Sequence, residues 1–242
     1  MNMALNAFGS PSHWKRPFGW LAVSWFAAAA VVGSPAAVAV AAPGSCPDAR
    51  VVFARGTNEA PGVGATGEAF ADSLRTHLSG RTVEVSPVDY PASMDFHRGV
   101  DGVIDAMNTI STTASNCPNT RIVLGGYSQG AAVAAYTVTS SVPAGFVLPP
   151  GVTGPLSPAV VDHIAAVVLF GTPAEWVINI ADNSAPPIAI DSSLSAKTAE
   201  FCAAGDPICA AGGLDRSAHS AYRGNGMVDE AGAFAANALS AD

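Results

Sequence analysis

Residues 126–130, Gly-Tyr-Ser-Gln-Gly, put a serine between two glycines, and they join the apolar run TRIVL to the alanine-rich AAVAAY. The first run reads as a buried strand and the second as a helix, so Ser128 falls on a strand-to-helix turn. In a G-x-S-x-G turn the backbone at the serine is strained, the glycines leave room for the bend, and the hydroxyl projects above the sheet. A serine hydroxyl is a poor nucleophile at neutral pH. It needs a base to take its proton and a carboxylate to orient that base.

On such a turn the partners follow in the order serine, acid, histidine. Downstream lie His163 and His219. His163 precedes the predicted strand IAAVVLFG, which puts it at the opposite edge of a sheet and gives it a structural role. His219, in DRSAHSAYRG beyond the last predicted strand, lies in a loop that can fold back over the serine and is the expected base. Asp206 leaves the run TAEFCAAG toward the same edge and is the expected acid, with Asp182, Asp191 and Asp215 as alternatives. Activity should rise with pH as the base loses its proton. The tetrahedral intermediate also needs donors. The N–H of Gln129 opens a helix and lacks an intrahelical partner; Thr57, in ARGTNEAPG (54–62), offers an N–H and a hydroxyl. The plainer role for Thr57 is to cap a turn.

The elements that must position these groups alternate along the chain. ARVVFARG (49–56), TVEVSPVDY (82–90), RIVLGGY (121–127), IAAVVLFG (164–171) and TAEFCAAG (198–205) read as strands. Helical spacing occupies 64–78, 96–112, 129–141 and 228–239. Near-continuous apolar strands separated by helices imply parallel pairing with both faces covered, a three-layer α/β/α sandwich. The Pro- and Gly-rich stretches 142–158 and 182–193 read as surface loops. A chain of 242 residues, 49% hydrophobic and 12% charged, suits one sizeable core and a single domain.

The N-terminus reads differently. Lys15 and Arg16 precede the apolar run WLAVSWFAAAAVV, and small residues follow, the pattern of a secretory signal peptide over 1–42, cleaved around 39–42. The run is shorter than the roughly 20 residues a spanning helix needs. Losing these two cations with the leader takes the formal charge from −8 to −10, which argues against nucleic acid as a partner. Cys46, Cys117, Cys202 and Cys209 all follow the leader. An even number in an exported chain suggests two disulfides, for which three pairings exist in principle. Cys202 and Cys209 bracket the turn AAGDPI, so their local closure is easy, and Cys46 would then join Cys117. The absence of C-x-x-C spacing disfavours zinc, and the chemistry calls for no metal or cofactor.

Together GGYSQGA, CAAGDPIC, AHSAY, ARGTNE and VVLFGTP resemble the cutinase family of serine esterases, especially its cutinase-like members of the mycobacterial type, from about Cys46 to the C-terminus. The resemblance implies a small α/β-hydrolase with a five-stranded parallel sheet, no large lid and an accessible serine. It implies Ser128, Asp206 and His219 as a triad, Thr57 and Gln129 at the oxyanion hole, and the pairs Cys46 with Cys117 and Cys202 with Cys209. One segment departs from the family pattern. The loop before the histidine, strongly aliphatic in fungal cutinases, reads AAGGLDRSA here, which disfavours an insoluble polyester as substrate. The expectation is an exported monomeric hydrolase of acyl esters or lipid, in transient contact with a lipid interface and secreted or cell-wall associated. Acyl transfer, phospholipid hydrolysis and removal of acetyl groups from sugars use the same triad. The alternative from another class is a secreted binding protein whose site has lapsed.

Overall fold

In the computed structural model the described residues are 45–141, 148 and 152–241; the expected leader and most of the loop 142–158 lie outside them. The elements in chain order are β1 (Ala49–Ala54), α1 (Gly64–His77), β2 (Val83–Pro87), α2 (Gly99–Asn116), β3 (Arg121–Tyr127), α3 (Gln129–Thr137), α4 (Pro158–Val161), β4 (Ile164–Phe170), α5 (Glu175–Ala181), β5 (Thr198–Phe201) and α6 (Met227–Ser240). Short 3₁₀ turns span Phe96–Arg98, Ser192–Lys197 and Ala218–Arg223.

All five strands pair in parallel in the order β2-β1-β3-β4-β5. The three-layer sandwich follows from how each strand divides its side chains. Val51 and Phe53 join the core under α1 and α6, while Val52 and Ala54 join the core under α2 and α3. Central β4, IAAVVLF, is buried at every position, as a strand covered on both faces must be. On the first side the rings of Phe53, Phe70 and Phe170 meet with centroids 6.0–6.4 Å apart. Edge strand β2 places Glu84 outward, where it pairs with Arg50 at 2.9 Å.

Boundaries differ from the sequence reading where a local effect intervenes. The helix expected over 96–112 begins as a 3₁₀ turn, and α2 then runs on to Asn116. Cys117 ends it and is bonded to Cys46. The helix expected over 129–141 stops at Thr137, where the β-branched run Thr137-Val138-Thr139 disfavours helix and Thr139 bridges to Ile190 instead. The seven-residue α5 lies outside the predicted elements and is too short to show a clear period. Both expected disulfides are formed, Cys46–Cys117 and Cys202–Cys209.

Strand order reverses between β1 and β3, so the crevice beyond their carboxyl ends is the topological switch point, where open α/β sheets bind ligands. The loop carrying Thr57 leaves β1 there, and Ser128 leaves β3 beside it.

Candidate active site

Ser128 has φ 55° and ψ −120°, a conformation that L-residues rarely adopt. Its N–H donates to Phe170 O at 2.8 Å, and its own carbonyl accepts from Ala131 N–H at 2.9 Å. The flanking glycines are required by contact. A Cβ on Gly126 would lie 2.1 Å from Gly130 O, and one on Gly130 would lie 2.0 Å from Ala54 O. The turn therefore presses the start of α3 onto the ends of β1 and β3 and leaves the hydroxyl at the sheet's rim.

Ser128 Oγ and His219 Nε2 are 2.8 Å apart; His219 Nδ1 is 2.8 Å from Asp206 Oδ2 and 3.0 Å from Oδ1. With Nδ1–H donated to the carboxylate, Nε2 is left to accept the serine proton. Asp206 is fully buried, and its Oδ1 also accepts from Ile208 N–H at 2.8 Å within the turn that the Cys202–Cys209 bridge closes. The structure thus brings Ser128, Asp206 and His219 into one hydrogen-bonded line.

The other candidates are engaged elsewhere. His163 precedes β4 at the opposite edge, its Nδ1 3.4 Å from Thr120 O. Asp182, Asp191 and Asp215 each accept the N–H and hydroxyl of a serine two residues on, which together hold the Asp191 and Asp215 carboxyls below the usual range. For Asp182 burial acts in the opposite sense and those bonds, with His97, prevail. That D-x-S spacing is a turn signal visible in sequence, and Asp206, followed by Pro207 and Ile208, lacks it.

Two tyrosines that the sequence reading passed over brace the line. Tyr222 is fully buried and donates its O–H to Asp206 Oδ2 at 2.5 Å. It lies three residues after His219 in the 3₁₀ turn, where i and i+3 eclipse, so one turn sets both groups on the same carboxylate. Burial first, then the bond to Asp206, pushes its phenol above the ordinary tyrosine range, which keeps it a donor. Tyr127 stacks its ring on His219 with centroids 5.1 Å apart and donates to His219 O at 2.6 Å. Burial pushes its phenol up to about 12. The H-x-x-Y spacing was the available signal. Gly171, at φ 59°, packs against this cluster, and a Cβ there would meet Tyr222 Oη at 2.9 Å and His219 Cε1 at 3.1 Å.

The loop after β1 is fixed by a buried cation. Arg55, 4% exposed, donates to Tyr90 O at 2.5 Å, Glu59 O at 2.9 Å and Val88 O at 3.4 Å, and lies over the Tyr90 ring at 5.1 Å. Tyr90 O–H returns a hydrogen bond to Arg55 O. The Glu59 carboxylate accepts from Gly56 N–H at 2.6 Å and from Ala65 N–H, in the first turn of α1, at 2.9 Å. These bonds hold Thr57 opposite the start of α3, its hydroxyl donating to Gln129 Oε1 at 3.2 Å. The Gln129 amide in turn donates to Ser93 O at 3.3 Å. Thr57 and Gln129 therefore stand together beside Ser128. A cleft of about 490 Å³ opens between them and extends along α3.

Comparison with known proteins places this geometry in a family. The cutinase family model matches residues 45–239. The chain is 44% identical over 211 residues to the carboxylesterase Culp1 of Mycobacterium tuberculosis, covering 87% of this chain and 90% of that one. It is 42% identical over 219 residues to the phospholipase Culp4 of the same organism, covering 90% of each. Among solved structures it resembles a Trichoderma reesei cutinase bound to a phosphonate inhibitor, with a TM-score of 0.59, 37% identity, and 80% of this chain and 77% of that chain covered. An acetyl xylan esterase at 22% identity shares the fold, with a TM-score of 0.65 over 81% of this chain and all of that one.

Proposed function

This chain belongs to the cutinase family of carboxylic ester hydrolases, and from that premise we propose that it is a secreted enzyme that cleaves acyl esters through an acyl-enzyme on Ser128. The observation that carries the proposal is the unbroken line from Ser128 Oγ through His219 to buried Asp206, with both gaps at 2.8 Å. In it, His219 Nε2 takes the hydroxyl proton as Oγ bonds to the ester carbonyl carbon. Asp206 stays ionised and steadies the imidazolium. The carbonyl oxygen becomes an oxyanion, which accepts from the N–H groups of Gln129 and Thr57, the Thr57 hydroxyl being donated to Gln129 Oε1. His219 then gives its proton to the departing alkoxide, leaving the acyl group on Ser128. A water molecule repeats the sequence, with the acid as product and the serine proton restored.

The phospholipase relative supports lipid esters among the substrates. Two disulfides and the leader composition of 1–42 support export into an oxidising environment. Ser128→Ala tests the mechanism. Turnover of p-nitrophenyl butyrate should fall to the level that the oxyanion donors and binding sustain, about a thousandfold or more above water. An organophosphate should label one serine per chain in the unmodified protein and none in the variant. Full activity in the variant would overturn the proposal.

A further inference from the structure

We propose that Tyr127 serves the reaction through the π face of its ring, which it holds against the imidazolium that His219 becomes on taking the serine proton; this rests on the esterase reading above. The two rings lie with centroids 5.1 Å apart and planes 30° apart. A cation within about 6 Å of an aromatic centroid is drawn to the negative face of the ring, more strongly where water is excluded. The His219 side chain is 20% exposed, so most of its surface is dry. Tyr127 is thus a positioning residue that acts through the base and favours its charged state.

The imidazole edge is already committed. Nε2 faces Ser128, Nδ1 faces Asp206, and a Cβ on Gly171 would lie 3.1 Å from Cε1. A face is what remains, and Tyr127 covers one. The Tyr127 ring is itself held in place. It ends β3 in register with Phe170, one residue before the strained backbone of Ser128, and its hydroxyl donates to His219 O at 2.6 Å. The Tyr222 ring meets it at 66° with centroids 5.9 Å apart. From the loop after β1, a Cβ on Gly56 would stand 2.7 Å from Tyr127 Cδ1 and 2.9 Å from Cε1, so the residue before Thr57 must be glycine for the ring to lie there.

The titratable and charged groups around the pair are Asp206, Tyr222 and Arg223 on the side of His219 and Glu59 from the loop after β1. All four stay when Tyr127 is replaced. Burial first, then the charges of Glu59 and Asp206, push the Tyr127 phenol up to about 12, so it is neutral wherever the enzyme works. The ring, and not a phenolate, is therefore what acts on the imidazolium. The sign follows. Losing the π face makes His219 a weaker base, so the acidic limb of kcat/KM moves to lower pH, and the plateau falls because the imidazolium forms in the transition state. The range measured for cation–π contacts corresponds to a limb shift of about 0.4–1.5 pH units and to a plateau loss of about twofold to thirtyfold.

The test is the pH profile of kcat/KM for p-nitrophenyl butyrate in the full chain, in Tyr127→Phe, in Tyr127→Leu and in a chain with pentafluorophenylalanine at position 127, with thermal unfolding of each. Tyr127→Phe loses the bond to His219 O but keeps the face, so its acidic limb should stay in place. Tyr127→Leu and the fluorinated ring should both move the limb to lower pH and lower the plateau. Fluorination reverses the ring's quadrupole at nearly constant shape, so its comparison with Tyr127→Phe decides the matter even where Tyr127→Leu fails to fold. An acidic limb that the fluorinated ring leaves unmoved would overturn the proposal, whatever happens to the plateau. A limb that moves as far in Tyr127→Phe as with the fluorinated ring would overturn it too, assigning the effect to the hydroxyl. An unmodified protein that neither turns over the ester nor reacts with an organophosphate would instead sink the esterase reading beneath it.

Discussion

Tyr222→Phe removes one oxygen and so isolates what that phenol does for Asp206. The oxygen donates to Asp206 Oδ2 at 2.5 Å and accepts from Ala203 N–H at 3.2 Å, in a site with no solvent exposure. A hydrogen bond to a charged group contributes about 1.5–3 kcal/mol, and stranding the Ala203 N–H costs about 1–3 kcal/mol more. The variant should lose about 2.5–6 kcal/mol, which for a domain of this size lowers Tm by about 5–24 °C. The effect on rate has a definite sign. Tyr222 and His219 share Oδ2, so losing the phenol leaves more of the carboxylate's charge facing the imidazole. That favours the protonated ring, which cannot act as base, and the acidic limb of kcat/KM should move to higher pH. Loss of one anchor on Asp206 should also cost about tenfold at the plateau, equivalent to about 1.4 kcal/mol. Asp206→Asn, which permits the wrong tautomer, sets the outer bound at about 10⁴. The assay is a profile of p-nitrophenyl butyrate hydrolysis between about pH 5 and 9, beside thermal unfolding of the same samples. A lower Tm with an unmoved acidic limb and an unchanged plateau would show that Tyr222 only fills space.

Arg55→Met keeps the length of the side chain but strands the carbonyls of Val88, Tyr90 and Glu59; kcat should fall about 10²-fold as Thr57 drifts from the oxyanion position, with a smaller change in KM. Arg55→Lys should not restore it, because one ammonium cannot reproduce the planar fork. Replacing Cys202 and Cys209 together by serine removes a bridge between residues seven apart, worth about 2–3 kcal/mol on loop closure. Unfolding should shift accordingly, and kcat should fall further than folding loss explains if the bridge holds the Asp206 turn; an unchanged kcat would assign that task to the Ile208 N–H and Tyr222 alone.

The parts of this molecule that were legible in sequence are those whose cause is local. The five strands could be read because central ones such as IAAVVLF are buried on both faces, and the elbow because strand, glycines and helix are contiguous. Asp206 and His219 could be selected because chain order and strand ends limit what can reach the rim. Arg55 was not legible as a brace, because its acceptors on Val88 and Tyr90 lie 33 and 35 residues away. Nor was the cleft along α3, since the stripe on α2 reads as ordinary core and becomes a wall only because α5, too short to predict, stands opposite. The helix expected to run to 141 failed for a balance that sequence shows only weakly, a β-branched run that finds a partner at Ile190.

The strained serine and the proposed oxyanion donors are one constraint seen from two sides. Backbone in the region of Ser128 costs about 1–3 kcal/mol, and it persists only where its surroundings leave no alternative. Here they leave none. Gly130 rests so close to Ala54 O that a Cβ would stand 2.0 Å away, and Gly126 rests equally close to Gly130. The first turn of α3 is thereby set against the end of β1, and one residue beyond that end Arg55 locks the loop that carries Thr57. The distance between the Gln129 amide and Thr57 is consequently fixed by glycine contacts in the sheet layer together with the Arg55 bonds that lock the loop above it. A donor pair mounted this way needs no reorganisation when charge develops on a bound carbonyl, the condition under which such donors lower a barrier most.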